Sequence, residues 1–129
     1  MTTTVSGTTI TAGSSVTATT TVSDSIGELR TVPVNSQTGA YNVASSDAGK
    51  FISITTGGVS VLTTTAFTTG QSVSIYHNSG SNQTITATGI TLYQVGTANT
   101  GNRTLAQRGL CTILCVGSNT YVITGGGVS

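Results

Sequence analysis

The sequence predicts an all-β protein, an antiparallel β-sandwich or small β-barrel of about eight short strands with an extended N-terminal arm. Threonine fills more than a fifth of the 129 residues, and β-branched side chains favour strands. Charged residues, which include several of the best helix formers, make up only 5% of the chain. Apolar and polar residues alternate over short stretches, which is the period of a strand with one buried face.

Two regions can be separated along the chain. Residues 1–22 are rich in Thr, Ser and Gly with widely spaced apolar positions, and we predict an extended arm or edge hairpin there. Residues 23–129 are predicted to form one β domain, because clusters of Gly, Asn, Asp and Ser separate its alternating segments. We predict extended segments at 28–34, 41–43, 50–55, 59–63, 71–77, 84–86, 90–93, 110–116 and 121–124.

The domain also contains a predicted loop, one ambiguous segment and one predicted tight turn. Residues 35–39 read as a loop of polar residues and Gly. Residues 103–107 fit either a strand or a loop, and Gly57 with Gly58 signals a tight turn between two strands. No clear internal repeat is found in the sequence.

Charge is nearly absent. Charged residues make up 5% of this chain, whereas about 25% is typical. The net charge is only +1. The four cations, Arg30, Lys50, Arg103 and Arg108, are scattered, whereas nucleic-acid binding needs a basic stripe that neutralises phosphates. No apolar run reaches the roughly 20 residues of a membrane-spanning helix. We therefore expect neither nucleic acid nor a membrane as a partner.

Residues that carry catalysis are scarce. His77 is the only histidine, and the only acids are Asp24, Glu28 and Asp47. A hydrolytic site needs a nucleophile, a base and an orienting acid, and paired-carboxylate catalysis needs two acids in one pocket. We predict a protein without enzymatic activity, cofactor or metal.

The two cysteines, Cys111 and Cys115, lie in one predicted apolar strand. Four strand residues span about 13 Å, whereas a disulfide needs Cα atoms within about 7 Å. We therefore predict two buried free thiols that act as small apolar side chains.

The composition also indicates assembly. Monomeric β proteins usually protect their open edges with Lys, Pro or inward-pointing charges, and this chain has a single Lys and a single Pro. Uncharged Thr, Ser and Gly faces cost less to desolvate than charged ones. We expect a subunit that is covered by copies of itself or by another protein.

Several segments resemble a β module found in tail fibres and particle-surface proteins of bacteriophages, notably those of cyanobacteria and marine bacteria. They are IGELRTVP at 26–33, SDAGK at 46–50, YHNSGSNQTI at 76–85, TANTGNRTLAQRG at 97–109 and GSNTYVI at 117–123. The resemblance extends over about four-fifths of the chain and contains no motif as specific as a metal-ligand spacing.

The resemblance implies a virion structural protein. A short chain with an N-terminal arm fits a capsid decoration (cement) protein, which forms a trimer and binds the major capsid protein at the capsid surface. The alternative is a short tail fibre or receptor-binding adhesin. The N-terminus has no secretory signal pattern, so synthesis is expected in the host cytoplasm. As interface residues we predict Val5, Ile10, Val16, Arg30, Arg103, Arg108 and Tyr121.

Overall fold

A computed structural model describes residues 21–129 and, before them, only Gly7 and Gly13. Within these residues the chain forms nine strands, two single-turn 3-10 helices and no α-helix. The all-β prediction is therefore confirmed. The strands are β1 (Val34–Gln37), β2 (Tyr41–Asn42), β3 (Phe51–Ile54), β4 (Val59–Leu62), β5 (Ser72–His77), β6 (Gln83–Thr88), β7 (Thr91–Gln94), β8 (Arg103–Gly117) and β9 (Thr120–Val128).

The nine strands form one sheet. Seven of them curl into a nearly closed barrel in the order β1-β3-β5-β8-β6-β4-β2, and β9 pairs with β8 while β7 pairs with β9. Successive strands alternate between two sides of this barrel. We call the side with β1, β3, β5, residues 110–117 of β8, β9 and β7 the front wall. The back wall consists of β2, β4, β6 and residues 103–105 of β8.

The prediction of antiparallel pairing is wrong for most of the sheet. Five pairings are parallel, namely β1 with β3, β3 with β5, β2 with β4, β4 with β6 and β7 with β9. Only the pairings that involve β8 are antiparallel. Parallel neighbours need a crossover connection, and in four of these pairs a strand in the opposite wall serves as that crossover, whereas β7 and β9 are connected through β8, which runs along both walls. The chain thus coils repeatedly without repeating its sequence, because only the alternation of apolar residues recurs.

One core lies between the two walls. The inward positions of most strands are apolar and buried, as in Ile52 and Ile54 of β3, Val59 and Val61 of β4, and Ile113 of β8. The polar residues between them point outward, which gives each strand the period of two that the sequence shows. Burial of these β-branched side chains drives the coiling of the chain.

The long strand β8 connects the walls. Its pairing with β9 loses register between Leu105 and Leu110, where Arg108 has a φ of 58°. Such a bulge bends a strand and increases its twist. Gly125 lies against the bend, because an added Cβ there would overlap the Leu110 carbonyl oxygen. A side chain at position 125 would therefore prevent the two strands from crossing so closely.

The two end strands of the sheet, β1 and β2, are joined through one buried carboxylate. Asp47 is 1% exposed and belongs to the 3-10 helix Ser45–Asp47. Its Oδ1 accepts a hydrogen bond from Asn35 Nδ2 of β1 at 2.9 Å, and its Oδ2 accepts from Tyr41 OH of β2 at 2.8 Å and from the Ala44 amide at 2.9 Å. This network closes the seam where β1 and β2 do not pair directly.

The loop prediction for residues 35–39 is wrong at its start, because Val34–Gln37 is β1. Its inward side chains are the amides Asn35 and Gln37, and Gln37 Nε2 donates to Asn35 Oδ1 at 2.6 Å. These polar residues occupy a strand because they extend the Asp47 network. Residues 103–107, left open by the sequence, belong to β8.

Candidate interface

The outer faces of the two walls differ in chemistry. The outward positions of the back wall are mostly polar, with Thr84 and Thr86 of β6, Ser60 of β4 and Thr104 of β8 facing one another across the strands, and Leu62 of β4 is half-buried among them. The front wall combines Ser and Thr with large apolar side chains. Its outward apolar residues are Val34, Phe51, Tyr76, Tyr93, Leu110, Leu114, Val116 and Val122.

These front-wall side chains are accessible in the single chain. On β8, Leu110 is 52% exposed, Leu114 is 40% exposed and Val116 is 43% exposed. Val34 on β1 is exposed as well, and so is Tyr93 on β7. Scattered apolar residues are normal on protein surfaces, but a contiguous patch indicates an interaction site.

The front wall has no charged residue at the outward strand positions that pair across it. Arg108 lies at its rim, in the bulge just before Leu110, where its Nη1 donates to Asn78 Oδ1 at 2.6 Å. The centre is neutral, with Ser74 and Thr112 hydrogen-bonded to each other at 2.9 Å. A partner can therefore cover this wall without burying an unpaired charge.

A shallow groove of about 390 Å³ crosses one end of the front wall. It is lined by Val32, Phe51, Ser74, Tyr76 and Leu110. The lining is apolar and aromatic except for the Ser74 hydroxyl, so the groove suits an apolar side chain better than a polar ligand.

The side chains of His77, Cys111 and Cys115 are buried inside the protein. His77 is fully buried, with Nδ1 at 3.0 Å from the Ala106 carbonyl oxygen. Both cysteines are buried and free, as predicted. Burial raises the pKa of the Cys111 thiol to about 12, and the Cys115 Sγ donates to the Phe67 carbonyl oxygen at 3.3 Å.

The sequence-predicted interface residues are dispersed. Arg30 is exposed in the segment before β1, and Arg108 is at the rim of the front wall. The Arg103 guanidinium points into one end of the barrel, where Nη1 donates to the Asn102 carbonyl oxygen at 2.9 Å. Val5, Ile10 and Val16 lie outside the described residues.

The assignment of Tyr121 to an interface is wrong for its side chain, which is completely buried. Tyr121 is an inward residue of β9 and packs near Phe67, with ring centroids 6.4 Å apart. Aromatic side chains of this size contribute large buried areas to a core. It is therefore a core residue.

Sequence reasoning missed the apolar residues of the front wall, although residues 110–116 carry a signal for them. This segment, LCTILCV, has a single polar residue and so is apolar on both faces. Strands with two apolar faces are usually covered on both sides. In the structure the inward face of Cys111, Ile113 and Cys115 is buried in the core, and the outward face is left uncovered by residues 21–129.

Within the described residues, no group of three or more His, Cys, Asp or Glu side chains is arranged to hold a metal ion. The same part of the chain contains no helix long and apolar enough to cross a membrane. Comparison with protein families finds no match, and comparison with curated proteins finds no relative.

Proposed function

We propose that this chain is a non-enzymatic virion structural protein, a capsid decoration protein that binds the outside of a bacteriophage head and stabilises contacts between capsomers. Its partners are further copies of the chain and the major capsid protein, and it is located at the capsid surface after synthesis in the host cytoplasm. The resemblance of the sequence to phage surface modules supplies the virus class and implies a trimer.

The observation that carries the assembly role is the contrast between the two walls. The back wall presents mainly hydroxyl side chains, with Leu62 half-buried among them, and suits contact with water, whereas the front wall exposes Leu110, Leu114 and Val116 on β8 and Tyr93 on β7. Covering apolar surface contributes about 25 cal/mol per Å² removed from water. A protein that binds only the assembled shell stabilises it by mass action.

The number of copies per particle tests this proposal. We expect purified virions to contain this chain at a copy number comparable with that of the major capsid protein, measured by quantitative mass spectrometry. Particles lacking the chain should lose their genome at a lower temperature than complete ones. A handful of copies per particle, or equal heat stability of both kinds of particle, would contradict the decoration role.

The second candidate is a short tail fibre or receptor-binding adhesin. It is supported by the aromatic side chains of the front-wall groove, Phe51 and Tyr76, since aromatic residues serve as contact anchors. This function requires few copies per particle and binding to host surface polysaccharide. The isolated protein should then compete with phage adsorption, and failure to compete would count against it.

A further inference from the structure

The front wall has an apolar groove at one end and exposed apolar side chains at the other. One end is the groove that Phe51, Tyr76 and Leu110 line. The other end exposes apolar side chains, with Leu114 and Val116 on β8 exposed to 40% and 43%. Leu114 is registered with Val122 of β9, and we call this apolar row the ridge. Groove and ridge lie on the same face of the same sheet.

We propose that the front wall binds the front wall of a second copy of this chain, related by a twofold axis in the plane of contact, with the ridge of each copy in the groove of the other. This inference rests on the proposed assembly role and names the partner that covers the wall.

Self-pairing is supported by the absence of charge on the wall. A twofold contact brings the same patch together from both copies, so the patch has to be complementary to itself. The outward front-wall positions carry no charge, so no like charges meet and none is buried unpaired. The groove and the ridge are both apolar, so each matches the other in chemistry.

The size of the wall also fits a pair. Six strands spaced about 4.8 Å apart and roughly 17 Å long give about 500 Å² per copy in projection. Two copies would therefore bury about 1,000 Å², which is the lower limit for a specific interface. We expect a weak pair that forms with rising concentration. A twofold contact through this wall joins only two copies, so the trimer that the resemblance implies would need other surfaces.

Light scattering of the full chain over a range of concentrations tests the pair. The mass should rise from one copy to two. Leu114→Asp in the ridge and Leu110→Lys in the groove should each leave one copy at all concentrations, because each buries a charge against apolar side chains. Both residues are exposed in the single chain, so the variants should fold, which their unfolding curves would verify. Thr84→Asp on the back wall is the matched control and should pair like the parent.

Mixing the two variants gives the sharper result. In one ridge-to-groove contact of the mixed pair, the ammonium introduced by L110K meets the carboxylate introduced by L114D, while the second contact keeps both leucines. The mixture should therefore recover the two-copy mass that neither variant reaches alone. A parent chain that stays single, a three-copy mass, pairing that survives either variant, or a mixture that stays single would each overturn the inference. A single-copy protein that is still abundant on virions would overturn the pairing alone and leave the decoration role standing.

Discussion

The seam between β1 and β2 depends on Asp47, and replacing this residue with alanine is the strongest test of the fold. The Asp47→Ala variant removes the acceptor for three donors, Asn35 Nδ2, Tyr41 OH and the Ala44 amide. A hydrogen bond to a charged group contributes about 1.5–3 kcal/mol, and a buried donor left unsatisfied costs about 1–3 kcal/mol. These terms overlap and water can enter an opened seam, so we expect a loss of about 3–5 kcal/mol in the free energy of unfolding.

Denaturant unfolding of the parent, Asp47→Ala, Tyr41→Phe and the double variant measures this loss. It also shows how much of the loss belongs to the hydrogen bond between Tyr41 and Asp47. Tyr41→Phe alone should cost about 1.5–3 kcal/mol, the contribution of one hydrogen bond to a charged group. In the Asp47→Ala background the same change should cost nothing, because its acceptor is already gone, which gives a coupling of similar size. Asp24→Ala is the matched control: Asp24 Oδ1 accepts from two amides in an exposed turn, and its loss should cost less than about 1 kcal/mol.

Hydrogen exchange locates the effect. In the Asp47→Ala variant, the Tyr41 amide, which donates to the Gly58 carbonyl oxygen at 3.1 Å, should exchange faster relative to amides of β8. A loss below about 1 kcal/mol, or a Tyr41→Phe effect that is the same with and without Asp47, would refute the view that this carboxylate holds the seam.

Three further predictions address the buried thiol of Cys111, the seam and the bend of β8. Thiol reagents at neutral pH should leave Cys111 unmodified in the native protein, because burial raises its pKa to about 12, and should modify it after unfolding. Modification of Cys111 in the folded chain would contradict its burial. Burial, together with the hydrogen bond to Asp47, raises the pKa of Tyr41 above 10.0. The folded state therefore favours the neutral phenol, and the resulting stability is complete below pH 10.0 and is lost as pH rises through the folded-state pKa. Unfolding midpoints should fall less steeply above pH 10.0 in Tyr41→Phe than in the parent, and identical slopes would exclude this contribution. Gly125→Ala should cost about 2–4 kcal/mol in the free energy of unfolding, because the added Cβ overlaps the backbone of β8 and strains it. Gly126→Ala, with open space around its added Cβ, should cost under about 1 kcal/mol. Equal costs would show that the bend of β8 is not tightly packed.

Much of the fold could be predicted because alternation of apolar and polar residues carries local information. The segments that became β3, β4, β5 and the end of β8 all contain a buried inward residue at every second position, which is apolar everywhere except at His77. The free state of Cys111 and Cys115 followed from the length of a strand alone. These properties involve neighbours in sequence, so they can be derived without knowing which strands meet.

The interface could be predicted only in outline. The low charge indicated surfaces that other protein covers, but the arginines chosen as anchors lie apart, and Tyr121 is in the core. The front wall gathers Phe51, Tyr76 and Leu110 from three strands that are distant in sequence. Nothing in their local surroundings indicates that they share one face.

Short segments of the chain are enough to establish that this protein is all-β, that its apolar residues alternate, and that residues 110–116 are apolar on both faces. The three-dimensional arrangement was needed to establish that the pairing is mostly parallel, that Asp47 joins the two ends of the sheet, and that apolar side chains collect on one wall. Those features depend on pairing partners far apart in the chain, and the choice among such partners is made by the fit of the whole core, which no short segment encodes.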